Sequence, residues 1–248
     1  MPGLLADLSD APVGAIVILH GCAHNPTGAD PTLAEWRDIV SLVRERRLIP
    51  FFDVAYQGFA SGDLDTDAGS VRLFADAGVD MLLSLSFAKN MGLYGERIGS
   101  LSVVLSEHTV NVPATAKAVR SQLKAVIRPM YSSPPAHGAR IVAGVLGDAT
   151  NFAAWKEELA GMASRIGDMR TALKAALDAN GAPGDWTRIV KQQGMFSYTG
   201  LSAAHVAYLR SKYHIYMTSD GRVSMAGLTT STVQRVADAI KDAVETVV

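Results

Sequence analysis

One cysteine, Cys22, occurs in 248 residues, so no disulfide can form within the chain and the sequence fits a reducing compartment. Its neighbours are small or apolar, which makes Cys22 a small core residue rather than a reactive thiol. No apolar run approaches the roughly 20 residues that a membrane-spanning helix needs. Excess basic charge is lacking too: 23 Lys and Arg stand against 24 Asp and Glu, a formal net charge of −1. With no basic stripe to neutralise phosphates, nucleic acid is excluded as the expected partner. Internal repeats and low-complexity stretches are absent. His20 and His24 have no third partner at metal-ligand spacing, so no metal is expected. The opening MPGLLADLSDAP has neither a secretory pattern nor an Arg-rich transit pattern, and no targeting signal is read from it.

What is present is ordinary globular composition, 48% hydrophobic and 19% charged with 22 glycines. GAIVILH (14–20) is a short β-rich run after a proline and predicts a buried strand. PTLAEWRDIVSLVRERR (31–47) opens on proline and repeats apolar residues at Leu33, Trp36, Val40 and Val43, which predicts a helix with arginines in its last turn. LIPFFD (48–53), MLLSL (81–85) and SLSVVL (100–105) predict three more strands. Strands alternating with helices imply a wound α/β sheet, largely parallel. From Asn151, read as a cap, Phe152, Trp155, Leu159, Met162, Ile166, Met169, Leu173 and Leu177 follow helical steps, predicting one long amphipathic helix that stops at Asn180–Gly181. Two or three short strands (MFSYT, HIYMT, RVSMA) and a terminal helix carrying Val233, Val236, Ile240, Val244 and Val247 complete the pattern. The expected organisation is a larger α/β part over 1–150 and a smaller α+β part over 151–248.

Ligands of open parallel sheets lie beyond the carboxyl ends of the strands. There the first strand runs into HGCAHNPTG (20–28), the second ends on Asp53 followed by Ala55 and Tyr56, and the third ends on Ser84 and Ser86 with Lys89 beyond. Taken singly, Asn25–Gly28 is a turn, Asp53 a cap and Lys89 a surface lysine. The glycines of GLYGERIG match neither GxGxxG nor GxxxxGK, so a dinucleotide or Walker phosphate loop is not expected. Their joint order carries more information: Asn, then Asp-x-x-Tyr, then Ser-x-x-Lys, then Arg, each at or just after a strand.

HGCAHNPTGADPT (20–32), FFDVAYQGF (51–59), SFAKNMGLYGERIG (86–99), IRPMYSSPPAHGARIV (127–142), GMFSYTGL (194–201) and YMTSDGRVSMAGL (216–228) resemble the aspartate aminotransferases of the class I, pyridoxal-phosphate-dependent aminotransferase family. Six motifs in order, covering the chain from about residue 3 to its end, carry that resemblance. It implies a PLP-dependent fold of type I, with an incomplete large domain and a nearly whole small α+β domain. It also implies pyridoxal 5'-phosphate as cofactor, amino acid and 2-oxo acid substrates, a homodimer, and a cytoplasmic or organelle-matrix location.

Residue by residue, Lys89 matches the lysine that forms a Schiff base with the cofactor, and Ser86 and Arg97 match ligands of its phosphate. Asp53 matches the carboxylate paired with the pyridine nitrogen. Tyr56 and Asn25 match donors to the ring's phenolic oxygen, and Asn25 also stands near the substrate. Arg222 matches the arginine that grips the substrate α-carboxylate. Arg128 matches the arginine that binds the distal carboxylate of aspartate or glutamate, reaching into the neighbouring subunit's site. His20 matches a histidine of the network behind Asp53.

The family carries a long segment before the HNPTG strand, whereas here that strand begins at Gly14. The absent part implied by the resemblance includes the phosphate-cradling turn at a helix N-terminus, the aromatic stacked on the pyridine ring, a tyrosine donated across the dimer and several central strands. The expectation is therefore aspartate transamination by family, with an open sheet edge or face here. The alternatives are an aromatic-amino-acid aminotransferase, and a catalytically incompetent fragment that associates with full-length subunits.

Overall fold

A computed structural model of the chain describes residues 1–247. The elements run in the order α1 (Pro2–Asp10), β1 (Ile16–His20), α2 (Leu33–Glu45), β2 (Ile49–Val54), α3 (Leu64–Asp67), α4 (Gly69–Asp76), β3 (Met81–Ser86), β4 (Gly99–Val104), α5 (Val112–Met130), α6 (His137–Leu146), α7 (Ala149–Ala179), α8 (Thr187–Lys191), β5 (Phe196–Tyr198), α9 (Ala203–Tyr213), β6 (Arg222–Ser224) and α10 (Val233–Thr246). They form two compact units. Among the described residues, the first takes 1–21, 31–55 and 68–156, and the second takes 22–30, 56–67 and 157–247.

The first unit is built on a four-stranded sheet ordered β1-β2-β3-β4. The first three strands are parallel, as the alternation of strands and helices requires, and β4 runs antiparallel to β3. The return is a loop over residues 87–98 whose two ends are joined by Phe87 N donating to Ile98 O at 3.1 Å. A Cβ on Gly99 would lie 2.5 Å from the Leu85 carbonyl oxygen, so only glycine lets β4 start there. Thr32 caps α2 with the reciprocal Thr–Glu35 box, so the helix begins at Leu33, just inside the predicted segment.

Alternation along the strands sends Leu19, Pro50, Phe52, Val54 and Met81 to one face, where they are buried. Trp36 of α2 and Phe74 of α4 close over Phe52, with ring centroids 6.0 and 4.9 Å from it. The opposite face is open: Ile16, Ile18, Ile49 and Leu101 are 61, 67, 41 and 51% exposed. The expected open face of the sheet is thus present, and it is apolar. Helix α5 likewise has no buried residue among its 19.

In the second unit the buried stripe of α7 (Leu159, Ile166, Met169, Leu173, Leu177) packs with Ile189, Val206, Leu209, Met225 and Ile240 to make the core. Strands β5 and β6 form a two-stranded antiparallel pair. HIYMT (214–218) is not a strand. His214 ends α9 with φ of 55°, and Thr218 is drawn into the turn that bonds it to Gly221 and Arg222, leaving no partner strand for residues between. Nor is Asn151 the cap of the long helix. The Asp148 carboxylate accepts from Asn151 N at 2.9 Å, and the helix starts at Ala149.

Helices α9 and α10 are tied by Asp242, whose carboxylate receives Lys212 Nζ (2.8 Å), Tyr208 Oη (2.9 Å) and Tyr213 Oη (2.8 Å). These hydrogen bonds, Lys212 first, pull the Asp242 carboxyl down to about 2. A carboxyl depressed on folding stabilises the native state above its unfolded value near 4 and loses that contribution as pH falls toward 2. Asp242→Asn should therefore lower the melting temperature at pH 6, and the gap to wild type should narrow progressively below pH 4. A gap independent of pH would contradict the ion-paired assignment. On the sheet, Phe52→Ala should cost about 3–5 kcal/mol in denaturant unfolding, whereas Ile18→Ser should cost under about 0.5 kcal/mol. Comparable losses would show that the Ile18 face is covered.

Candidate active site

The carboxyl edge of the first unit's sheet gathers the strand-end residues by register alone. His20 pairs with Asp53 across β1 and β2, and Asp53 pairs with Ser84 across β2 and β3, with Ser86 closing β3 two residues on. Gly21 extends the ladder through its N–H to Asp53 O at 3.3 Å, and its own carbonyl is taken by Ser70 Oγ at 2.7 Å. The chain therefore leaves β1 at a fixed point. Asp53 itself is exposed, on the open face with Ile49 and Phe51.

Beyond β3 the backbone folds into consecutive turns rather than a helix. The Ser86 hydroxyl accepts from Ala88 N at 3.2 Å, Met91 N donates to Phe87 O, and Gly92 N to Lys89 O. Lys89 is half-buried between fully buried Ala88 and Asn90. The Asn90 carbonyl receives Trp155 Nε1 from α7 at 2.8 Å, which pins the turn just after the lysine. Arg97 adopts φ of 50°, and its guanidinium donates to Tyr94 O at 3.0 Å. Arg128 stands apart from this row, on exposed α5, where it donates to Ser132 Oγ.

In the second unit, residues 22–30 form a loop closed by one carboxylate: Asp30 accepts from Ala23 N (2.6 Å) and His24 N (2.8 Å). The Gly28 carbonyl receives Gln193 N at 2.7 Å, and a Cβ on Gly28, which has φ of 64°, would lie 2.7 Å from Gln193 O. Residues 56–67 are held the same way. Buried Asp67 accepts from the N–H groups of Gly58, Ala60 and Ser61 and from the Ser61 hydroxyl. These two loops fix Asn25 and Tyr56. Arg222 NH1 donates to Asn25 Oδ1 at 2.9 Å, and Asn25 Nδ2 lies 3.5 Å from Tyr56 Oη. Asn25, Tyr56 and Arg222, far apart in sequence, thus form one connected group.

Asp30, Asp67 and Phe196, which build these positions, were not singled out from the sequence, and Trp155 was read only as part of a helix's apolar stripe. Asp30 and Phe196 lie within quoted motifs and Asp67 and Trp155 outside them, but in each case only the partners reveal the role. The donor set suits pyridoxal phosphate chemically. An aldehyde takes an amine such as Lys89, a phosphate takes a hydroxyl and a guanidinium such as Ser86 and Arg97, and a protonated ring nitrogen takes a carboxylate such as Asp53.

Burial, followed by the Asp67 and Asp30 carboxylates, pushes the Cys22 thiol well above the ordinary thiol range. The core reading of this residue holds. A thiol reagent at pH 8 should leave Cys22 intact in the folded chain and modify it fully in denaturant. Rapid native labelling would contradict its burial.

A family model for aminotransferase class I and II matches residues 1–240. The cytoplasmic aspartate aminotransferase of Oryza sativa subsp. japonica is 59% identical over 242 residues, which are 98% of this chain and 58% of that protein. Other relatives carry chloroplastic and mitochondrial names. The chain spans a little over half the length of the curated relatives it matches. Among solved structures, the aspartate aminotransferase of Trypanosoma cruzi superposes with a TM-score of 0.93 at 49% identity, covering 99% of this chain and 61% of that one. An aromatic-amino-acid aminotransferase from Burkholderia pseudomallei, covalently bound to pyridoxal phosphate, gives 0.93 at 45% identity, covering 98% and 59%. The chain belongs to the aminotransferase class I and II family.

Proposed function

We propose that this chain serves reversible amino transfer between L-aspartate and 2-oxoglutarate, giving oxaloacetate and L-glutamate, with pyridoxal 5'-phosphate as cofactor. The observation that carries the reading is the strand-end row His20, Asp53 and Ser86, followed by Lys89 on a turn pinned by Trp155. When bound, the cofactor supplies an electron sink for the negative charge left on the substrate α-carbon.

The chain's residues do the rest. Lys89 Nζ is the amine that would hold the cofactor through its aldehyde and, when free, would carry a proton to and from the substrate α-carbon. Asp53 keeps the proton on the ring nitrogen, with His20 oriented behind it. Ser86 and Arg97 bind the phosphate, and Tyr56 and Asn25 donate to the phenolic oxygen. Arg222 grips the α-carboxylate through its planar fork. Arg128 binds the distal carboxylate, across a homodimer. In this reading residues 1–150 belong to the cofactor-binding domain and 151–248 to the smaller one, in the cytoplasm or an organelle matrix. Reduction of the PLP-loaded chain with borohydride, followed by peptide mapping, should place the pyridoxyl group on Lys89. Label on Lys117 or Lys124 would overturn the assignment.

The likeness to an aromatic-amino-acid enzyme favours a second reading of substrate range. Arg128 separates the two. Stripping a buried carboxylate of its partner costs roughly 3–5 kcal/mol, about two or more orders of magnitude in rate. In a chimera that joins this chain to the preceding part of the rice enzyme, Arg128→Ala should cut aspartate turnover by that much and spare phenylalanine. Equal losses would make Arg128 structural.

The open apolar sheet face supports a further part of the proposal: these 248 residues alone have little transaminase activity. Purified and supplied with PLP, the folded chain should show no turnover near that of an ordinary aminotransferase. Full turnover would refute this.

A further inference from the structure

The ring of Phe196 is shared by two of the residues assigned to the site. Arg222 Cζ stands 4.8 Å above its centroid, and the Tyr56 ring meets it edge-on, with centroids 6.0 Å apart and planes at 88°. The register explains the first contact. β5 pairs Tyr198 with Arg222 and Phe196 with Ser224, so Phe196 and Arg222 are diagonal neighbours on one face of the pair.

Phe196 is itself held from below. Its carbonyl accepts from Arg170 NH2 at 2.5 Å, and the same guanidinium takes Gly194 O and Ile189 O, both at 2.8 Å. Arg170 is 4% exposed, and burial lowers its pKa to about 10. Three carbonyls, rather than a carboxylate, share its charge, so the backbone that presents the Phe196 ring is anchored inside the unit.

An aromatic face is an unusual partner for a substrate-binding arginine, and its chemistry is the point. A carboxylate beside Arg222 would hold the guanidinium firmly but would occupy the N–H groups that a ligand carboxylate needs. An aliphatic side chain would leave those groups unoccupied but offer no attraction. The π face attracts the cation through the ring quadrupole, from outside the guanidinium plane, and consumes no N–H. Asp220, the nearby acid whose carboxyl is lowered first by the Thr218 hydroxyl and then by Arg222's backbone N–H at 3.2 Å, is engaged by those two groups rather than by the guanidinium. Asn25 Oδ1 takes one N–H and sets the rotation of the fork.

We infer that Phe196 is a positioning residue: its ring holds the Arg222 fork flat and in-plane accessible to a ligand carboxylate, and fixes the Tyr56 ring at its edge. The inference deepens the proposed reading of Arg222 and rests on it for the identity of the ligand.

The test uses the whole chain labelled with 13C,15N-arginine, and Arg222→Lys assigns the Arg222 signal. The side-chain resonances of Arg222 should be shifted upfield by the ring current, the shift should vanish in Phe196→Leu, and Phe196→Tyr should restore it. Titration with succinate, read on the same signal, should show weaker binding in Phe196→Leu by about three- to thirtyfold and near-wild-type binding in Phe196→Tyr. An unshifted Arg222 in wild type, a shift that survives in Phe196→Leu, or succinate affinity unchanged by Phe196→Leu overturns the inference. If succinate leaves the Arg222 signal unmoved in wild type while the ring-current shift is present, the fault lies instead in the reading of Arg222 as a carboxylate receptor.

Discussion

The parallel register of β1, β2 and β3 is the constraint on which the first unit's chemistry depends. Parallel strands all end on the same side, so three segments separated by tens of residues deliver their next side chains to one edge. His20, Asp53 and Ser84 are brought level by backbone hydrogen bonds, with no need for side-chain contacts to find one another. A one-residue slip of β2 would send Asp53 to the helix-covered face and Phe52 to the open one, at the expense of the Trp36–Phe52–Phe74 cluster. The aromatic core therefore specifies the site register from the opposite side of the sheet. Lys89 follows from the same edge, because the turn that carries it starts where β3 stops and is fastened by Trp155.

The second unit uses a different device. Its segments 22–30 and 56–67 belong to no sheet, and each is closed by one carboxylate that collects backbone N–H groups, Asp30 in one and Asp67, at the end of the short α3, in the other. Charge-assisted bonds to backbone are strong enough to replace a ladder over such short spans. On these two loops and β6 stand Asn25, Tyr56 and Arg222, with Phe196 beneath them and Arg170 beneath Phe196. Rigid support beneath the Arg222 guanidinium is the arrangement a carboxylate receptor requires, since the fork is ordered before a ligand arrives.

The sheet strands were legible in the sequence because apolar runs of five or six residues bounded by Pro, Gly and charge have few other uses. The antiparallel sense of β4 was not, since SLSVVL carries no direction and the loop that carries Lys89 decides it. Arg170 illustrates another limit. It follows Met169 on a helix whose apolar stripe was evident, yet an arginine in that place reads as solvent-facing until its three carbonyl partners are seen. HIYMT had the composition of a strand and lost that state for want of a neighbour, as short β segments do. The candidate site residues were picked out through motif order rather than through any one of them. Phe196 lay in plain view within GMFSYTGL, but as an apolar strand residue its role depends on what stands above its ring.

The reading as a whole stands on where the cofactor attaches and which group faces its ring nitrogen, and a crystal structure of the chain grown with pyridoxal 5'-phosphate addresses both at once. Continuous density should join the cofactor to Lys89 Nζ, with an Asp53 carboxylate oxygen within about 2.7–3.2 Å of the ring nitrogen. Attachment at another lysine, or a ring nitrogen turned away from Asp53, would contradict it.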